Sequence, residues 1–340
     1  MAQTWIASLS SQRGSGASKT ETTTGKGRAF IRRRLISPWG RHQDNDGSIL
    51  RTLTIATCKS DLAGVNDSLM TPKSGSIRIG IGGWTFEPWR GVFYPQGLPH
   101  AKELAYAGAR LTSIEVNGTF YRTQTPATFH KWASEVPAGF VFSLKGPRFA
   151  TNRRVLKEAG DSIKRFLNSG VTELGDCLGP LLWQFAPTKK FDSSDFGGFL
   201  ELLPDRLDSR ALRHVIEVRH DSFRRAEFIA LMRKFDMPVV FTDHARYPNI
   251  ADITGDFVYA RLQRGKDKIA TAYPPKEIDA WATRLRSWAQ GKEPDDLPRV
   301  TAKPKAKPSP RDVFAYVIHT GKIRAPAGAM ALINALKPKA

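Results

Sequence analysis

Ser113-Ile-Glu-Val-Asn-Gly-Thr-Phe-Tyr-Arg122 places a carboxylate and an amide inside an otherwise strand-like run. Strand side chains alternate between faces, so Ile114 and Val116 point one way and Glu115 and Asn117 the other. Val215-Ile-Glu-Val-Arg219 repeats the design, with Glu217 and Arg219 sharing a face. An ordinary half-buried strand would turn that polar face to water. A barrel strand turns it toward the barrel mouth.

Outward from these two runs, the pattern predicts alternating strands and helices from Ile77 onward. Strands are expected at Ile77–Gly82, Thr112–Val116, Phe140–Lys145, Leu181–Gln184, His214–Val218, Pro238–Thr242, Phe257–Leu262 and Val313–Ile318. Helices are expected at Pro99–Ala109, Pro126–Glu135, Asp161–Leu167, Ser194–Leu203, Arg224–Phe235, Lys276–Gln290 and Pro326–Leu336. In Lys276–Gln290, Trp281, Leu285 and Trp288 form one apolar stripe at helical spacing. Eight strands alternating with helices over about 260 residues is the requirement of an α/β (β/α)8 TIM barrel. A doubly wound open sheet needs a glycine-rich first turn, and Gly80-Ile-Gly82-Gly-Trp84 lacks the third glycine at the right spacing.

The expected organisation is one barrel domain, residues 76–340, behind an extension of residues 1–75. The extension shows neither helical nor strand periodicity and is rich in Ser, Thr, Gly and scattered charge, the composition of a disordered segment. Gly14-Ser-Gly-Ala-Ser-Lys19-Thr20 resembles a phosphate loop only superficially, with Ser18 where glycine is required and no strand before it. Met70 directly precedes the first clear strand, so it is an expected natural start; intact mass of the native protein tests this. Residues 292–310 include the Pro/Lys-rich run Lys303-Pro-Lys-Ala-Lys-Pro-Ser-Pro310, a solvated linker or a nucleic-acid contact.

The 340 residues are 41% apolar, enough for a full core. No apolar run approaches the roughly 20 residues of a membrane span, and the Arg-rich start lacks a secretory signal's apolar segment. A cytoplasmic location is therefore expected, with no membrane partner. Two cysteines, Cys58 and Cys177, are too few for a disulfide framework or a structural zinc site. Cys177 is expected to be a small buried residue. The formal charge of +20 fits anionic metabolites or nucleic acid, and fits equally a solvated basic surface.

Several ordered motifs go further. Gly83-Trp84, Trp89-Arg90-Gly91, Phe93-Tyr94-Pro95, Glu115-Val-Asn117-Gly-Thr119-Phe120-Tyr121 and Lys145-Gly-Pro147-Arg148 lie in the first half of the chain. Leu178-Gly-Pro180-Leu-Leu-Trp-Gln184, Glu217-Val-Arg219-His220 and Tyr259-Ala-Arg261 follow. Together they resemble the YecE-like family, domain of unknown function family 72, from Ile77 to Leu336. The resemblance implies a TIM barrel and carries no assigned activity. Two departures stand out. The family's Leu-His-Gly after strand 7 is Leu262-Gln263-Arg264-Gly265 here, an amide where a proton-transfer group is common. The family's Asn-Asn-Asp-type run after strand 8 is His319-Thr-Gly-Lys322, so His319 is the candidate replacement for that histidine.

TIM-barrel sites form at the carboxyl ends of the strands. Those ends present Trp84, Glu115 with Asn117, Lys145, Gln184, Glu217 with Arg219, Asp243, Arg261 with Gln263, and His319. Buried charges must pair, and Glu115–Arg219 or Glu217–Arg261 pairs would satisfy them. Lys145, Arg219 and Arg261 would make the pocket cationic, suited to a carboxylate or phosphate. Arg264-Gly-Lys266-Asp-Lys268 and Thr320-Gly321-Lys322-Ile-Arg324 occupy the positions where barrels often hold phosphate.

Glu115 and Glu217 are the acid/base candidates, with Lys145 beside them; Asn117 and Gln184 would orient substrate. Strands 2 and 5 lie apart around the rim, which disfavours the close carboxylate pair of a retaining glycosidase. Glu115, Glu217, Asp243 and His319 also form a candidate oxygen-rich set for a divalent metal, and no other cofactor is expected. Trp84, Tyr121 and Trp89 are candidate stacking surfaces or core residues. The expected function is general acid/base catalysis on a small anionic metabolite, phosphorylated or carboxylated; the competing expectation is a basic nucleic-acid-binding protein.

Overall fold

The computed structural model describes residues 74–303 and 308–338 and, in the last strand, leaves the His319 side chain undescribed. The expectations for the N-terminal extension, for Met70 as a start, for Cys58 and for residues 304–307 lie outside the described residues.

Eight parallel strands form the barrel: β1 (Ile77–Gly82), β2 (Ser113–Val116), β3 (Val141–Lys145), β4 (Leu178–Gln184), β5 (His214–Glu217), β6 (Phe241–Asp243), β7 (Phe257–Arg264) and β8 (Asp312–Thr320). Their order around the sheet is β5-β4-β3-β2-β1-β8-β7-β6. Closure comes from a parallel bridge between Ile216 and Val239, just ahead of β6. There Ile216 N–H donates to Pro238 O at 3.0 Å, and Val240 N–H donates to Ile216 O at 2.8 Å. The protein is a TIM barrel.

Alternation along the strands sorts the apolar residues into two layers. Ile79, Ile81, Ile114, Val116, Phe142, Leu144, Trp183 and Val258 point outward and join the large core beneath the helices. Leu182, Val215, Val240, Phe257, Tyr259, Phe314, Tyr316 and Ile318 fill the lumen. The expected stripe on the helix Pro275–Ala289 packs as its spacing requires, with Trp281 and Trp288 ring centroids both 5.8 Å from Phe241.

The lumen narrows at β1 because glycines stand there. A Cβ on Gly80 would lie 2.1 Å from Ser113 O, and one on Gly82 would lie 3.1 Å from both Asn117 Nδ2 and Ile318 Cγ2. Only a residue without a side chain lets β2 and β8 approach this closely.

Two expectations are corrected and one element is added. β6 begins at Phe241 rather than Pro238, since Pro238 has no N–H for a ladder and only the Val239 bridge precedes it. An antiparallel pair, Arg206–Leu207 with Arg210–Ala211, was not anticipated; Asp208 turns it at φ 52°, without the Asn-Gly signal that marks such hairpins. Cys177 is half-buried rather than buried, and burial raises its thiol pKa. Among the described residues no helix is long and apolar enough to cross a membrane.

Candidate active site

At the carboxyl end of the barrel, inward-facing residues of β2, β5 and β7 meet on one guanidinium. Arg261 Nε donates to Glu115 Oε2 at 3.0 Å, and its Nη2 to Glu115 Oε1 at 2.9 Å. Its Nη1 donates to Glu217 Oε2 at 2.6 Å. Both carboxylates are fully buried and Arg261 is 5% exposed. A charge this deep is tolerable only when its partners fill its hydrogen-bonding positions.

Neighbouring groups complete that filling. Tyr259 O–H donates to Glu115 Oε2 at 2.8 Å, and Asn117 Nδ2 to Glu115 Oε1 at 3.2 Å. Gln184 Nε2 donates to Glu217 Oε2 at 2.7 Å, and Arg219 Nε to Glu217 Oε1 at 2.9 Å. Below them Tyr259 and Tyr316 hydroxyls lie within hydrogen-bonding distance of Ser143 and Ser113, at 2.9 and 2.8 Å. The two glutamates are therefore held rigidly from several sides.

This arrangement decides the pairing left open by the sequence. Glu217–Arg261 forms, Glu115–Arg219 does not, and Arg261 takes both carboxylates at once. The guanidinium reaching from β7 stands between the carboxylates of β2 and β5 and bridges them. Burial pushes the Glu217 carboxyl up, but Arg261, Arg219, the Gln184 amide and Lys145 outweigh it and hold it at about 2. Arg261 is driven more basic still by its two glutamates, against the opposing effect of burial.

Lys145 is the exception in this network. It ends β3 on the inward face, is 6% exposed, and makes no ion pair within 4 Å among the described residues. Its Nζ lies 4.2 Å from the Phe120 ring centroid and makes no hydrogen bond among the described residues. Burial first, then the charge of Arg261, lowers its pKa to about 8, while Glu217 and Glu115 pull the other way. Glu115 and Glu217 against Lys145, Arg219 and Arg261 leave the cluster one positive charge in excess.

Beside the cluster lies a cavity of about 390 Å³. Asn117, Tyr121, Arg219, Arg261, Gln263 and Lys322 supply its polar and aromatic lining, with Gly82, Trp89 and Ile318 among the rest; none of the described residues lining it is acidic. Tyr121 is 64% exposed at the mouth. Lys322 Nζ rests 3.9 Å over the Phe86 ring, and Trp89 Nε1 donates to Lys322 O at 2.8 Å. Gln263 is 2% exposed, and neither its Oε1 nor its Nε2 has a partner.

Two sequence-expected residues are not brought here. Asp243 shares the parity of Phe241, so it faces the helix Pro275–Ala289 rather than the lumen, and pairs with Arg264 at 2.9 Å. Burial raises its pKa to about 6 despite that partner. Trp84 packs edge-on against Trp132, 5.1 Å between centroids, and tilts on outward-facing Phe142. The metal set Glu115, Glu217, Asp243 and His319 is accordingly not assembled as expected. The carboxylates are spent on Arg261 and Asp243 lies on the other side of β6. Among the described residues no group of three or more His, Cys, Asp or Glu is placed to hold a metal ion.

Of the cavity residues, Gly82 is one that sequence reasoning did not place in the site, although its parity with Gly80 was an available signal. Trp89, expected as a stacking surface or core residue, and Lys322, expected in a candidate phosphate loop, both line the cavity. The polar layer of Ser113, Ser143, Tyr259 and Tyr316 was also missed, although Tyr259 and Arg261 share parity in one run.

Residues 78–340 match the profile of a protein family of unknown function, DUF72. The chain belongs to the DUF72 family. Solved structures similar to this DUF72 chain include a family member from Thermotoga maritima, at 20% identity, TM-score 0.56, covering 76% of this chain and 97% of that one. Another, from Enterococcus faecalis, has 15% identity and TM-score 0.57, covering 78% and 99%. At these identities the likeness concerns the fold. No curated protein matches the chain.

Proposed function

We propose that this DUF72 chain is an enzyme that moves protons on a small anionic metabolite, phosphorylated or carboxylated, bound at the carboxyl rim of the barrel. The observation that carries the reading is the Lys145 amine, held by no carboxylate among the described residues, beside two carboxylates engaged by Arg261 and Arg219. A proton-transfer group works best with a pKa near the working pH. Lys145, at about 8, meets that condition; Glu217, at about 2, does not. The base therefore shifts from Glu217 or Glu115, the sequence-based candidates, to Lys145. The glutamates and Arg261 form the fixed charged floor that positions it.

Arg219 and Lys322 engage the anion in this reading, since both line the cavity and none of the described residues lining it is acidic. Asn117 and Tyr121 contact the rest of the ligand. Nucleic-acid binding rests on the +20 charge and the Lys/Pro run, and salt separates it: phosphate-driven binding weakens steeply as ionic strength rises. The test is a thermal-shift panel of sugar phosphates, carboxylates and short RNA on the full chain at fixed ionic strength. A small anion at 100 times its Kd adds about 2.7 kcal/mol of stability. That shift should vanish in Arg219→Ala. Stabilisation by RNA alone, unaffected by the substitution, would refute the proposal.

A further inference from the structure

We propose that Lys145 is an imine-forming residue, whose amine condenses with the carbonyl carbon of a small anionic aldehyde or ketone held in the adjoining cavity. The inference rests on the reading above, that the rim binds a small anion, and adds the chemical class of that anion and a covalent step.

The argument begins with where the amine sits. Thr119 Oγ1 donates to Lys145 O at 2.7 Å, and the Phe120 ring lies under Nζ at 4.2 Å. The same short segment supplies Asn117 and Tyr121 to the cavity wall. One turn of chain thus packs on the lysine, which does not itself line the cavity, and carries two residues that do. The amine is the one basic group of the five-residue cluster that no carboxylate holds, so nothing must be broken before it reacts.

The protonation balance agrees. An ordinary lysine, pKa near 10.4, has roughly one amine in a thousand neutral at pH 7.5. At about 8, roughly a quarter of the Lys145 population is neutral and nucleophilic. A lysine desolvated beside other cations is a recognised route to an activated amine.

The step balances without a co-reactant. The Nζ lone pair forms a C–N bond to the carbonyl carbon as the C=O π bond breaks, and the oxygen takes from water the proton the ammonium had given up, leaving a carbinolamine protonated on nitrogen. Loss of water then breaks the C–O bond and leaves a protonated imine. Hydrolysis reverses the sequence. The iminium carries the same single positive charge as the ammonium it replaces. The cluster of two glutamates and two arginines therefore sees the same net charge before and after.

The experiment incubates the full chain with pyruvate, glyoxylate or dihydroxyacetone phosphate in the presence of cyanoborohydride, which reduces an imine to a stable amine. Intact mass and peptide mapping locate the adduct. At least one probe should modify Lys145 to near stoichiometry, at least ten-fold faster than the average surface lysine. The half-rise of its trapping rate should lie near pH 8, against about 10 for the surface. Glyoxylate or pyruvate trapping would assign a keto acid, and dihydroxyacetone phosphate trapping a phosphorylated carbonyl. The adduct should disappear in Lys145→Arg and Lys145→Met, with circular dichroism confirming that at least one variant folds. Adducts scattered over surface lysines, with Lys145 no faster than they are, would overturn the imine. A probe that shifts the melting temperature but leaves Lys145 unmodified would overturn it too, while leaving the proton-transfer reading standing. Neither shift nor adduct from any probe would count against both.

Discussion

Arg261→Met removes a single guanidinium and strands two carboxylates. Glu115 loses contacts at 3.0 and 2.9 Å and Glu217 one at 2.6 Å, and both side chains have no exposure through which water could take over. Breaking a buried pair by deleting one partner costs about 3–5 kcal/mol. An independent figure comes from Glu217, held at about 2 when folded against an ordinary 4.5. That difference corresponds to about 3 kcal/mol, from Arg261 together with Arg219, Gln184 and Lys145. A loss of about 4 kcal/mol at pH 7 is therefore expected, or roughly 8–16 °C in melting temperature for a domain of this size.

The pH dependence follows with a definite sign. Because the folded Glu217 pKa is depressed, its stabilisation is fully present above 4.5 and is lost as pH falls toward 2. In Arg261→Met the upward push of burial loses its main opponent, so the stranded Glu217 carboxyl takes up a proton and the deficit shrinks as pH falls from 7.5 to 5. The triple variant Glu115→Gln, Glu217→Gln, Arg261→Met, which removes the charges together, should recover much of the loss. Denaturant unfolding at both pH values measures all of this. A single-variant loss below about 1 kcal/mol, or one independent of pH, would refute the reasoning.

Gln263→Met should raise the stability of the unliganded protein by about 1–2 kcal/mol, because two buried amide atoms without partners are replaced by an apolar side chain of similar length; chemical denaturation checks it. Competitive labelling with acetic anhydride should titrate Lys145 with a midpoint near 8, well below the surface lysines. Gly80→Ala should destabilise by about 3 kcal/mol or more, the scale of overpacking a filled interior, since the new methyl carbon would lie 2.1 Å from Ser113 O; melting temperature and expression yield report it.

How much of this could be read from the chain depended on whether the information was local. Alternation within Ser113–Val116, His214–Glu217 and Phe257–Arg264 was enough to send Glu115, Glu217 and Arg261 into the lumen. That one arginine would take both glutamates was not readable. It depends on the heights at which β2, β5 and β7 meet across the lumen, set by shear and strand tilt rather than by any one segment. Asp243 shows the opposite failure: the information was local and misapplied. Its parity with Phe241 already placed it under the helices, whatever residue the strand is drawn from. Lys322 and Trp89 come to the cavity from loops after β8 and β1, where no periodicity constrains direction.

The closure between β5 and β6 rests on the Ile216–Val239 bridge, whereas the other neighbouring strands share several register positions. This seam is where the cylinder has least to lose by parting. Amide hydrogens at Ile216 and Val240 should exchange with deuterium ahead of those in β1 and β8, because local opening is easiest where few bonds are given up. β5 also leads into Glu217 and Arg219. Parting at the seam would move Glu217 and Arg219 relative to the β2–β3 side that holds Lys145, so exchange measured there reports on the floor of the charged cluster as well as on the closure.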